Sequence, residues 1–173
     1  MQHKVQELIL AILSQCHDMA IGTVRPDGAP QVTVVSFVHD GMLIYFGCGA
    51  NSQKAQNIAR EARASVAMTA PYADWMAIKG LSLAAEAEEV RDAGELALVW
   101  RLMNERFPQF ADIEVAPDEA MTVFRLRPTI VSVLDYTKGF GHTDLVTIDA
   151  DEIAGTLESM RHHWLVPVAA ETS

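Results

Sequence analysis

Two turn signals near the start of the chain narrow its fold more than any other feature. Arg25-Pro26-Asp27-Gly28 and His39-Asp40-Gly41 separate three short runs rich in Val, Thr and aromatic residues: Met19 to Val24, Gln31 to Val38 and Met42 to Gly47. Proline sets its own φ and glycine supplies the positive φ of a tight turn, so runs of this length are joined as antiparallel hairpins. The three runs are expected to form a meander. Further strands are expected over Ala64 to Ala70, over Trp75 to Val90 with Gly80 as a bulge, and over Met121 to Leu134 with an interruption at Pro128.

Helical spacing is confined to a few segments. Val5, Leu8, Ile9, Ile12 and Leu13 recur three and four apart, which gives a leading helix one apolar face. Gln53 to Arg60 contains helix formers and no Gly or Pro. Asp92-Ala93-Gly94-Glu95 has the form of a capping box, and Leu96, Val99, Trp100, Met103 and Phe107 continue that helix until Pro108 stops it. Asp149 to Glu152 reads as one more helix start, leading into a tail without pattern. No strand alternates regularly with crossover helices, and no Gly-x-Gly-x-x-Gly follows a strand, so a wound parallel dinucleotide fold is a poor reading. The fold class is mainly β (α+β), an antiparallel barrel with peripheral helices. At this length one domain is expected over 1–173, with its core at about 5–148.

Charge limits the partners. Thirteen Lys and Arg against 23 Asp and Glu leave a formal charge of −10, which repels nucleic acid and anionic membranes alike. No apolar run has the length of a membrane span and no signal-peptide pattern opens the chain, so a cytoplasmic location is expected. Cys16 and Cys48 are then expected as reduced thiols. Cys48 has no neighbouring His to activate it, and the adjacent His162 and His163 do not share a face, so no metal site is expected.

A bound phosphate needs convergent amide hydrogens and usually one cation, and a helix start after a loop of small residues supplies the amides. Gly47-Cys48-Gly49-Ala50-Asn51-Ser52, followed by Gln53 and Lys54, has that form. Ser52 would donate its hydroxyl and Lys54 its charge. Taken alone, the same pair also reads as an ordinary helix cap and a solvated lysine.

The order of segments adds weight. Met19-Ala20-Ile21-Gly22-Thr23-Val24, Pro26-Asp27-Gly28-Ala29-Pro30, Val34 to Phe37, Asp40 to Phe46 and Ser52 to Ile58 follow one another as in FMN-binding split β-barrels similar to pyridoxamine phosphate oxidase. Trp75 to Leu83 and Arg127 to Tyr136 extend the resemblance, which runs from about Val5 to Ile148. The resemblance implies an antiparallel split β-barrel with peripheral helices, working as a homodimer with FMN between its subunits. By the family's pattern Gln31, Val32, Thr33 and Val34 would flank the flavin ring, and Tyr45, Phe46 and Gly47 would follow the ribityl chain. Ser52, Gln53 and Lys54 would hold the phosphate. Tyr136 and His142, with Lys138 and Phe140, are candidates from the last strand and loop. His142 would serve as a proton donor, while Tyr136 and Phe140 read equally as packing.

One departure bears on the substrate. The namesake oxidase has basic residues on its second strand, whereas Gln31 to Ser36 here contains no Lys or Arg. A small non-phosphorylated substrate is therefore expected, against an apolar wall of Val34, Phe37 and Tyr136. The function implied is an FMN-dependent oxidoreductase, the cofactor supplying hydride or electron transfer. The alternatives are a non-catalytic flavin sensor or carrier and a deazaflavin- or haem-binding relative. Haem would require an axial ligand, for which His142 is the candidate.

Overall fold

The first hairpin forms where Pro26 and Gly28 direct it. Gly28, at φ 84°, donates its amide to the Arg25 carbonyl (2.9 Å), and the Arg25 amide reaches Ala29 (2.9 Å). The turn joins β1 (Asp18–Val24) to β2 (Pro30–Ser36). The structure is a computed structural model that describes residues 3–109 and 120–153. A second hairpin joins β3 (Val38–Asp40) to β4 (Leu43–Gly49). β5 (Arg63–Thr69), β6 (Lys79–Glu89), β7 (Met121–Asp135) and β8 (Thr143–Thr147) complete one antiparallel sheet that curls into a split half-barrel.

The expected three-stranded meander does not form. Strand order is β2-β1-β5-β6-β7-β4-β3, so the two hairpins lie at opposite edges of the sheet. The chain turns between them at Phe37, whose amide bonds to the His17 carbonyl (3.2 Å) and whose ring is fully buried. β7 is the longest strand, and its two halves hold different neighbours along one edge. Gly49 to Ile44 of β4 pair with Met121 to Leu126. Thr143 to Thr147 of β8, a strand that sequence reading left unassigned, pair with Leu134 to Ile130.

The irregularity in the β6–β7 ladder also lies away from its expected place. Ala84 pairs with Ile130 and Ala85 with Pro128, so Thr129 is the extra residue of a bulge on β7. Proline has no amide hydrogen for the ladder, and a bulge beside it removes the conflict. The extra residue also resets the alternation: Phe124, Leu126 and Pro128 are buried before it, and Val131, Val133 and Asp135 after it. β7 therefore continues through Pro128 rather than breaking there. Gly80 is not the bulge. A Cβ at that position would lie 2.9 Å from the Met68 carbonyl oxygen, which is backbone and cannot swing away. Gly80→Ala is expected to lower stability by about 1 to 3 kcal/mol in urea denaturation, the scale of overpacking. Upstream, Trp75–Ala77 is a short 3-10 turn capped by Asp74, and β6 starts only at Lys79.

Three helices lying wholly among the described residues pack on the barrel. α1 (His3–Gln15) buries Ile9, Ile12 and Leu13, as its spacing predicts. α2 (Gln53–Arg60) follows β4 and α3 (Ala93–Arg106) follows β6. Asp92 caps α3 by accepting the Glu95 amide (2.8 Å). The Glu95 carboxylate instead accepts the Tyr45 hydroxyl (3.0 Å) and Arg125 (2.8 Å), which ties α3 to β4 and β7. Arg106 at the far end donates to the carbonyls of Leu13, Ser14 and Cys16 and so caps α1. Between α1 and α3 lies His39, 1% exposed, with Nε2 3.1 Å from Ser14 Oγ and Nδ1 3.0 Å from the Gly41 carbonyl. Burial first, and then the Arg106 charge, pull its pKa down to about 4. Asp149 accepts the Glu152 amide (2.8 Å) at the helix start of 150–153, as expected. His162 and His163 lie outside the described residues.

The outer face of the sheet is unusually bare. In one row the register runs Val34, Ala20, Ala67, Ser82, Ser132, Leu145 from β2 to β8. Small side chains thus fill the middle, while Val32 and Val34 at one edge are 66% and 72% exposed and Leu145 at the other is 74% exposed. Among the described residues no helix is long and apolar enough to cross a membrane.

Candidate functional site

The loop from Gly49 to Ser52 is fixed at both ends. The Ala50 amide bonds to Ala120 beyond β4 (2.8 Å), and the Ser52 amide turns back to Gly49 (3.0 Å). Ser52 then caps α2, its Oγ accepting the Ala55 amide (3.3 Å) while its hydroxyl hydrogen points to Cys48 Sγ (3.5 Å). The amides of Gln53 and Lys54, in the first turn, have no intrahelical acceptor, as at any helix start. Lys54 is half-buried, with Nζ 5.6 Å from the centre of the Phe46 ring. Among the described residues no carboxylate pairs with it, and burial holds its pKa below the ordinary lysine value. A desolvated cation beside free amides suits an anion.

A buried amide holds this helix to the barrel. Asn57, 0% exposed, donates to Thr23 Oγ1 and to Gln31 Oε1 (both 3.0 Å) and accepts from Gln53 Nε2 (2.9 Å). Sequence reasoning gave Asn57 no role. Its signal was available: an amide four residues after Gln53, on the face of α2 that also buries Ile58. Thr33, two residues along β2 from Gln31, has its hydroxyl oxygen buried without a hydrogen-bond partner. That orphaned oxygen and the unpaired Lys54 are what FMN's hydroxyls and phosphate would satisfy, so the residues present fit the cofactor.

The structure divides the residues assigned to the flavin by sequence. Gln31, Ser52, Gln53 and Lys54 share the region around α2, and Phe46 lies beneath Lys54. Side chains alternate along a strand, so four consecutive residues of β2 cannot all face one ring. Val32 and Val34 point outward, opposite to the half-buried Gln31 and Thr33. In β4 the buried Phe46 ring stacks on Phe124, while the Tyr45 hydroxyl reaches Glu95 of α3, and Gly47 shares its face. Phe37 cannot line a substrate wall, because its ring is 0% exposed and lies under the Arg106 guanidinium at 5.6 Å.

Tyr136 and His142 lie elsewhere. β7 begins beside Gly49 and ends at Asp135, a strand of 15 residues with a contour of roughly 45 Å at the usual rise per residue. Tyr136 forms a cluster there with Trp75 (6.2 Å) and Phe140 (5.2 Å). His142 Nε2 is 3.2 Å from Asp144 Oδ1, and Lys138 Nζ donates to the other oxygen of that carboxylate (2.6 Å). Among the described residues no hydrogen bond, ion pair or ring contact joins this loop to the Ser52 loop. Cys16 and Cys48 are both buried free thiols, and no group of His, Cys, Asp and Glu among the described residues is placed to hold a metal ion.

Known proteins resemble this arrangement. The family model described as pyridoxamine 5'-phosphate oxidase matches residues 5–135. No curated protein matches the chain in sequence. Among solved structures, a heme binding protein from Mycobacterium smegmatis superposes with a TM-score of 0.72 at 22% identity, over 90% of this chain and 62% of that one. The chain thus spans less than two thirds of that protein's length. HutZ, the heme storage protein from Vibrio cholerae, gives 0.58 at 21% identity over 84% and 93%. General stress protein 26 from Bacillus anthracis gives 0.62 at 15% identity over 83% and 98%. All three share the split-barrel fold.

Proposed function

The chain belongs to the pyridoxamine 5'-phosphate oxidase family, and on that premise we propose that it is a homodimeric FMN-binding oxidoreductase acting on a small non-phosphorylated molecule. The observation that carries the reading is Lys54, a half-buried lysine at the start of α2 with no acidic partner among the described residues. Bound FMN would supply hydride or electron transfer. Lys54 and the first amides of α2 would hold its phosphate, and Thr33 would donate to an oxygen of the chain or ring. The other cation of α2 is engaged, since the Arg60 guanidinium donates to the carbonyls of Val24 (2.7 Å) and Arg25 (2.8 Å). One cation serves one phosphate, which disfavours a phosphorylated substrate beside it.

Two features support the dimer. The outer face of small residues between exposed Val32, Val34 and Leu145 suits close sheet-on-sheet packing, and a two-fold pair covers it with a copy of itself. Such a pair also offers a route for Tyr136 and His142 of one protomer to reach the Ser52 loop of its partner.

Lys54→Ala is expected to weaken FMN by about 1 to 3 kcal/mol in a fluorescence titration, the scale of a lost charged hydrogen bond. Unchanged affinity would reject the phosphate assignment. A haem reading is favoured by the names of the Mycobacterium smegmatis and Vibrio cholerae proteins. It needs an axial ligand, and His39 has both ring nitrogens engaged, while His142 is held to Asp144. Absorbance after incubation with each cofactor separates the two: a two-band flavin profile supports FMN, and a Soret band lost in His142→Ala supports haem.

A further inference from the structure

Thr23 of β1 and Gln31 of β2 are directly opposed across the first hairpin, so both side chains stand on the face that α2 covers. Asn57 meets them there with one atom: its Nδ2 lies 3.0 Å from Thr23 Oγ1 and 3.0 Å from Gln31 Oε1, while its Oδ1 accepts from Gln53 Nε2 at 2.9 Å. The two ends of this amide are not interchangeable. Its nitrogen has two hydrogens in fixed directions and faces two partners, and a hydroxyl such as that of Thr23 turns to suit its neighbour. Turned over, Asn57 would give one hydrogen to Gln53 and leave the other without an acceptor, in a residue that is 0% exposed. The direction of all three amides is therefore set at Asn57.

We propose that Asn57 is a positioning residue that makes Gln31 a hydrogen-bond donor to the bound ligand. With Oε1 taken by Asn57, the half-buried Gln31 has its Nε2 hydrogens left to offer, and among the described residues no group accepts them. Two neighbours are donors of the same kind. Lys54 lies one turn before Asn57 on α2 without an acidic partner among the described residues, and the Thr33 hydroxyl, two residues from Gln31 on the same face of β2, is buried without a hydrogen-bond partner. Gln53, held the other way round, keeps its Oε1 as an acceptor at an exposed position. The side of the site between β2 and α2 thus suits a ligand that turns acceptor oxygens towards it, as a phosphate or a carbonyl does, and disfavours one that presents N–H groups there. The ligand's name rests on the FMN reading, whereas the direction of the amides is a property of the free protein.

Hydrogen exchange of the side-chain amides, followed by heteronuclear NMR of the full chain without cofactor, reads that direction. The Gln31 amide, recognised by its loss in Gln31→Met, is expected to exchange at least about tenfold faster than that of Asn57. Asn57→Asp keeps the size of the side chain and accepts from Thr23, Gln31 and Gln53 together, which turns the Gln31 amide inward and is expected to slow its exchange by about tenfold or more. FMN fluorescence titrations read the consequence. Gln31→Met is expected to weaken FMN by about tenfold, Asn57→Asp by at least as much, and the double variant by no more than Gln31→Met alone, since no amide is left to turn. A Gln31 amide already protected in the free native chain, FMN bound equally by the native chain and Gln31→Met, or losses that add in the double variant would overturn the proposal. If Asn57→Asp fails to fold, the native exchange pattern and Gln31→Met decide it. A native chain that binds no FMN would overturn the cofactor reading and the donor role with it, separately from the exchange result.

Discussion

Changing Val32 and Val34 together to Glu is expected to give a folded monomer that no longer retains FMN. Both side chains stand out from edge strand β2, at 66% and 72% exposure, so carboxylates there cost little within one protomer. In the proposed dimer the same positions are covered by the partner. Each ionised carboxylate then loses its hydration, at several kcal/mol apiece, and two-fold symmetry repeats the penalty on the other side. Light scattering and FMN fluorescence should therefore change together while far-UV circular dichroism does not. A dimer that survives the double change would move the interface to another face.

The second large effect concerns acid. His39 is neutral in the folded protein down to about pH 4, but in the unfolded chain it takes a proton near pH 6.5. Its folded value is depressed, so its contribution is complete above pH 6.5 and is lost as the pH falls towards 4, where both states are protonated. Linkage puts the loss at about 2 kcal/mol by pH 5 and about 3 kcal/mol by pH 4. With 1% of the residue exposed, solvent screening removes little of this. Urea midpoints measured between pH 7 and pH 4 should fall accordingly. His39→Gln, which keeps a donor and an acceptor without a titratable ring, should flatten the curve; equal slopes in the two proteins would exclude His39 as the cause.

Local structure was legible where the deciding residues are neighbours in sequence. Pro26 and Gly28 specified the first turn, the spacing of Ile9, Ile12 and Leu13 gave α1, and Asp92 marked the start of α3. Ser52 and Lys54 fell where a helix start requires. What sequence could not show were choices made by distant strands. Whether β2 continues into β3 depends on Phe37 finding a buried place beneath Arg106, far along the chain. The bulge at Thr129 depends on β6 lying opposite Pro128. β8 has Thr143, Leu145 and Thr147 exposed, so it carries little apolar alternation to announce it. Within one protomer the motif reading of the site is divided by the alternation of the strands. It took Val32 and Val34 with Gln31 and Thr33, and Tyr45 with Phe46, as contiguous stretches, whereas a strand offers only every second residue to one side. Asn57 was overlooked because a single buried amide looks like any other polar residue until its three partners are known.

β7 carries the start of the Ser52 region at one end and Tyr136 at the other, separated by the length of the barrel. In the proposed dimer each chain therefore holds half of two sites rather than the whole of one. Chains defective at opposite ends of β7 complement one another: paired together, they assemble one site entirely from intact halves and concentrate both lesions in the other. Chains defective at the same end do not. On that proposal the geometry of a single strand would decide which pairs of inactive alleles restore activity when expressed in one cell.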